Sequence, residues 1–128
     1  MIAHVVLFTP RADLDAAAGR ALVGALERAL VDIPQIRRVR IGRRRVLGFA
    51  YDTISPVHLE YAAILEFDTE ADLRSYLVHP AHADLAQRFN SSAAVAIAHD
   101  FEMVQPEGLQ ALVDQVAEQP VEKVEGEK

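Results

Sequence analysis

Apolar residues fill both registers at the start of the chain: Ile2, Val6 and Phe8 on one side, Ala3, Val5 and Leu7 on the other. A strand apolar on both sides is covered on both sides. Thr9-Pro10 ends it, because proline brings no N–H to a ladder. Over residues 13–31, Leu14, Ala18, Leu22, Ala25, Leu26, Ala29 and Leu30 recur at helical spacing and predict an amphipathic helix. Asp13 is the expected N-cap, and Pro34 closes the segment.

Residues 36–47 alternate imperfectly, with Val39 and Ile41 set among arginines, and predict a second strand with Gly42 at a bend. Residues 48–58 read as a loop, marked by Ser55-Pro56. In residues 59–67, Leu59, Tyr61, Ala63, Leu65 and Phe67 share one strand face, while Ala62 and Ile64 share the other. Thr69 then caps a helix, with Asp72 three residues on. Pro80 divides the next stretch into a helix ending near Val78 and a second helix over residues 81–89. A last strand is expected over 94–104, with Val95, Ile97, His99, Phe101 and Met103 on one face. Residues 109–116 suit a short helix, and the acidic tail after Pro120 is expected to fray.

The order is β-α-β-β-α-β, the ferredoxin-like arrangement of an α+β domain. Its four-stranded antiparallel sheet carries helices on one face. Strands one, three and four are nevertheless apolar on both faces, so the bare face needs a cover. Two copies packed sheet on sheet supply one, and a twofold homodimer forming an α/β barrel is the expectation. The space between the two sheets is then the expected ligand cavity. Residues 1–104 form the predicted domain and 105–128 a C-terminal extension.

Composition narrows the function classes. The 128 residues fit one domain, and 51% apolar with 25% charged residues is an ordinary globular balance. The absence of cysteine excludes disulfides, thiolate metal sites and cysteine nucleophiles. Met1-Ile-Ala-His-Val-Val-Leu-Phe has no basic n-region and reads as a strand rather than a signal peptide. No apolar run reaches the roughly 20 residues that span a bilayer, so a cytoplasmic protein without membrane partners is expected. A net charge of −6 argues against general nucleic-acid binding. The charge is uneven, however, with six of the eleven arginines between Arg37 and Arg45. That run could bind an anion at the barrel mouth, pair with the acidic C-terminal segment across a dimer, or form a solvated strand face. It lacks the interleaved aromatics on which RNA bases stack.

The chemistry-bearing residues cluster in Tyr76-Leu-Val-His79-Pro80-Ala81-His82, with His4 near the N-terminus. Together with the strand Met1–Phe8, the arginine-rich second strand and Leu65-Glu-Phe67, this run resembles the stress-response A/B barrel (Dabb) family over residues 1–104. The resemblance implies a ferredoxin-like homodimer forming an α+β barrel. Most members of the family have no assigned activity. One plant branch, resembling olivetolic acid cyclase, closes a linear polyketide by intramolecular aldol condensation. Its catalytic tyrosine and histidine fall on Tyr76 and His82, and its N-terminal strand histidine falls on His4. A further histidine of that branch falls on Tyr61, a departure that changes the polar lining. The same fold also serves cofactor-free monooxygenases.

On this basis His82 is the candidate general base, since imidazole titrates near neutrality and can take a proton alpha to a carbonyl. Tyr76 is its candidate hydrogen-bond partner, and His4, Tyr61 and Phe8 are the expected lining for a small hydrophobic or aromatic ligand. This chemistry needs no cofactor and no metal. The plainer reading has His82 bracing the turn after Pro80 while the Tyr76 ring fills core. His79 and His82 have a spacing that also suits a metal, but His79 directly before proline fits a helix boundary better. His4 among apolar neighbours needs a hydrogen-bond partner in either reading. His99 is assigned a structural role and His58 a solvated one.

Overall fold

A computed structural model describes residues 1–115 of the chain. The strands are β1 (Ile2–Pro10), β2 (Arg38–Arg43), β3 (Tyr61–Phe67) and β4 (Ala93–Glu102). The helices are α1 (Ala16–Asp32), α2 (Ala50–Ile54), α3 (Glu70–Leu77), α4 (Pro80–Ser92) and α5 (Leu109–Asp114), the last preceded by a 3-10 turn at Pro106–Gly108. The sheet runs in the order β2-β3-β1-β4, with every pairing antiparallel. This is the ferredoxin-like topology that the sequence pattern predicts. The frayed tail expected after Pro120 lies outside the described residues.

Register decides which side chains meet. Directly opposed residues in an antiparallel pair point to the same face. His4 opposes Leu65 on one side and Asp100 on the other; Phe8 opposes Tyr61 and Ala96. These residues face the helices: Phe67 packs against Tyr76 of α3, and Phe8 against Phe89 of α4. Ala3, Val5 and Leu7, with Ile64 of β3 and Ile97, His99 and Phe101 of β4, face the other way. Among the described residues no helix covers that second face, and Ile97 and Phe101 are exposed on it.

The core sits at the Ile2 end of the helix-covered layer. Ala29, Ile33, Leu65, Phe67, Leu73 and Tyr76 are buried together, with Ile2, Val39 and Leu85 packed around them. Phe67 and Ile33 are fully enclosed. Burying side chains of this size contributes about 1.5–3 kcal/mol each.

Three local expectations need correction. Asp15, not Asp13, caps α1: its carboxylate accepts the Ala18 N–H at 2.7 Å, while Asp13 pairs with Arg11. The expected strand over 36–47 shortens to Arg38–Arg43 because β3 offers partners only to that length. Residues 48–58 are not all loop, since Asp52 organises α2 within them. One oxygen of Asp52 accepts N–H groups from Leu47 and Gly48 at 2.9 Å and from Phe49 at 3.3 Å. Gly48 adopts φ +87°, a conformation that favours glycine.

Candidate active site

The site is assembled at the corner between α3 and α4. Thr69 starts α3 as its cap, its hydroxyl accepting the Asp72 N–H at 3.1 Å. This fixes the phase of the helix and delivers Tyr76, 3% exposed, into the core. The chain then turns at His79-Pro80. A residue before proline avoids the helical region, and His79 duly sits at φ −71°, ψ 141°. Its Nδ1 accepts the Ala81 N–H at 3.0 Å, so His79 is the N-cap of α4, with Pro80 in the first helical position. A ring nitrogen committed to a backbone amide does not ligate a metal. Among the described residues, no group of three His, Cys, Asp or Glu side chains could hold a metal ion.

Two residues into α4, the His82 ring stands edge-on to Tyr76, with centroids 4.6 Å apart. Tyr76 also meets His4 of β1, at 5.9 Å and again edge-on. Three elements thus bring His4, Tyr76 and His82 to one place beside the core. Burial pushes the His82 pKa below that of an ordinary histidine, the Leu77 carbonyl opposes this, and His4 adds to the lowering. The imidazole of His82 is therefore neutral at pH 7, with a lone pair to accept a proton. Burial pushes the Tyr76 phenol up to about 12, which keeps it a hydrogen-bond donor throughout the physiological range.

The residue missed in the sequence is Asp100. Its Oδ1 lies 2.5 Å from Nδ1 of His4. A carboxylate has no proton to give, so Nδ1 of His4 is the donor and its tautomer is set. The side chain of His4 is 11% exposed and that of Asp100 47%, so the pair links the buried cluster to the rim of the sheet. The only hint in the sequence is the alternation His99-Asp100-Phe101, which puts Asp100 on the face opposite His99 and Phe101.

Phe8 and Tyr61 lie elsewhere in the same layer. Their rings stack at 5.5 Å, and Phe89 packs edge-on against Phe8 at 5.0 Å. Phe8 is four residues along β1 from His4, about 13 Å at the rise of a strand. The two form an aromatic group toward the far end of the layer, not a wall against Tyr76. A further correction concerns the cavity. All five candidate residues lie between sheet and helices, whereas the expected ligand space was between two sheets. Two surface hollows lie away from these residues, one lined by Pro34, Gln35, Arg37 and Asp72, the other along α1.

His58 is exposed, with Nδ1 2.9 Å from Arg44 Nη1. His99 is exposed on the uncovered face, edge-on to Phe101 at 6.2 Å. No helix among the described residues is long and apolar enough to cross a membrane.

A four-stranded antiparallel sheet with one helical layer, and a histidine–tyrosine cluster between the two, defines a ferredoxin-like α+β domain. The family model of the Stress responsive A/B Barrel Domain matches residues 2–103, and the chain belongs to that family. Solved structures agree on the fold. A dimeric ferredoxin-like protein of unknown function from Thermobifida fusca is 22% identical, with a TM-score of 0.61 over 80% of this chain and 90% of that one. Hydroxynitrile lyase from Passiflora edulis is 14% identical, with a TM-score of 0.69 over 81% and 94%. SnoaB, a cofactor-independent oxygenase from Streptomyces nogalater, is 16% identical, with a TM-score of 0.60 over 81% and 93%. At these identities the likeness concerns the fold alone. No curated protein sequence matches this one.

Proposed function

We propose that residues 1–104 form a homodimeric A/B barrel that binds a small hydrophobic or aromatic carbonyl compound and carries out cofactor-free acid/base chemistry on it. His82 removes a proton alpha to the carbonyl, and Tyr76 donates its hydroxyl to the oxygen on which charge develops. His82 then gives that proton back, and His4, its tautomer set by Asp100, lines the site. The observation that carries the reading is the convergence of His4, Tyr76 and His82 from β1, α3 and α4, with burial holding His82 neutral. Intramolecular aldol closure of a polyketide is one reaction of this type. The lyase and oxygenase among the structural relatives are analogies of fold. The uncovered apolar face supports the dimer, as does the description of the Thermobifida relative as dimeric.

A second reading rests on the packing: the Tyr76 ring lies against both imidazoles. In that reading the cluster is a satisfied polar core, and the protein is a non-catalytic stress or accessory protein. Thermal shift with a panel of aromatic ketones and β-diketones separates the two, followed by α-proton exchange of any hit in D2O. A ligand that stabilises the wild type, exchanges its α-proton and loses both effects with His82→Ala supports the enzyme. Equal responses from wild type and variant overturn it.

A further inference from the structure

The segment between β2 and β3 presents an unusual surface. Val46, Leu47, Phe49, Tyr51 and Ile54 are all more than half exposed. Contiguous exposed apolar side chains on a small domain mark an interaction site. The segment is not loose chain. Asp52, whose side chain is 6% exposed, gathers three backbone N–H groups and pairs with Arg44 at 3.7 Å. Phe49 and Tyr51 stack at 6.0 Å with their rings 19° apart. A built arm thus holds an aromatic pair out to solvent.

The chain leading from this segment back into β3 is tied to the uncovered side of the sheet. Thr9 belongs to that face, opposite Val95. Its hydroxyl donates to the His58 carbonyl at 2.6 Å and accepts the Glu60 N–H at 3.1 Å. Resting on the reading that a second copy covers this face, symmetry then limits where the arm can go. Facing sheets pack with strands nearly aligned. A twofold axis across the strands sets β2 on β2 and brings Arg38 and Arg40 of both copies together. An axis along the strands sets β2 opposite the partner's β4 and avoids that like-charge contact. It also keeps equivalent sheet ends together. β2 leaves the sheet at Arg43, at the end where Val95 and Ile97 of β4 are exposed on the same face.

We propose that residues 46–54 form an exchange arm that reaches over the edge strand β4 of a second copy, seating Phe49 and Tyr51 on Val95 and Ile97 of that copy. The arm shields an edge strand that would otherwise invite further pairing. Three of the six arginines in the run at its base thereby gain a role: Arg44 braces the arm through Asp52, and Arg38 and Arg40 select the orientation.

The chain has no cysteine, so engineered thiols report position without background. Phe49→Cys and Val95→Cys chains, mixed and treated with a short bismaleimide, should give a crosslinked mixed dimer. Each variant alone should give far less. The combined Phe49→Ser, Tyr51→Ser change should weaken dimerisation by about thirtyfold or more, as loss of aromatic anchors does. Crosslinking of Phe49→Cys to itself overturns the proposal, because it places β2 on β2. A dimer by light scattering that forms no mixed crosslink also overturns it while leaving the dimer intact. Arm-dependent sedimentation with phosphatidylserine vesicles, without the crosslink, assigns the arm to a lipid surface instead. A wild-type monomer at micromolar concentration overturns both the arm and the dimer.

Discussion

His4 on β1 and Asp100 on β4 stand opposite one another in the sheet, with Nδ1 and Oδ1 2.5 Å apart. The contact joins residues 96 positions apart and turns a buried imidazole into an oriented one. Asp100→Ala leaves the enclosed Nδ1 without its acceptor. A loss of about 1 kcal/mol is expected, below the roughly 1.5–3 kcal/mol of a hydrogen bond to a charged group because Asp100 is half exposed. Asp100→Asn keeps an acceptor and should recover most of it. Urea denaturation of the two variants measures the difference, and equal stability of Asp100→Ala and wild type would count against the pairing.

Tyr76 does two separable things. Its ring packs on Phe67, His4 and His82, and its hydroxyl is the candidate donor. Tyr76→Ala opens a cavity in the core and should cost about 3–5 kcal/mol. Tyr76→Phe keeps the ring and should hold stability within about 1 kcal/mol while removing donation to a ligand oxygen. Chemical denaturation and ligand-induced thermal shift read the two effects apart. Equal ligand responses in Tyr76→Phe and wild type would remove the hydroxyl from the mechanism.

The lowered pKa of His82 carries a pH signature. Its folded value lies below 6.5, whereas the unfolded chain protonates at about 6.5. The unfolded state therefore binds more protons as pH falls through 6.5, and stability declines toward acid until the folded pKa is passed. Above 6.5 the contribution is fully present. Histidine ring NMR should place the His82 midpoint below 6.5. Any base-dependent activity should fall on the acid side of that midpoint. A midpoint at or above 6.5 contradicts the burial argument.

Asp52 should control the order of the arm. Burial would raise its carboxyl pKa, but the amides of Gly48, Leu47 and Phe49, together with Arg44, outweigh that and hold it below the ordinary value. The ionised form is thus the one the fold favours. Its contribution is present above about 3.8 and is lost as pH falls through the lowered folded value. Hydrogen exchange at Leu47, Gly48 and Phe49 should be slow in the wild type and fast in Asp52→Ala, with the core amides of β1 unchanged. Unaltered exchange in the variant would show that Asp52 does not organise the segment.

Thr69→Ala removes the cap that sets the phase of α3. A cost of about 1 kcal/mol is expected, and Thr69→Ser should avoid it. The wild-type Tyr76–His82 contact, followed by ring proton NMR, should loosen in the alanine variant alone.

Much of this was legible in the sequence because its causes are local. The two-faced apolar register of Ile2–Phe8, the Thr69 cap and the break at His79-Pro80 each act within a few residues of themselves, and a linear reading sees them whole. The Asp13 assignment failed on the same scale: two carboxylates lay within reach of the helix start, and Arg11 engaged one of them. Tertiary structure decided the rest. Register between β1 and β4 chose Asp100 as the partner of His4, and the helical layer, not a space between sheets, enclosed Tyr76 and His82. The convergence of Leu47, Gly48 and Phe49 on Asp52 likewise appears only once Gly48 turns the chain back. Periodicity states which side of an element is apolar, but only packing states what stands opposite it.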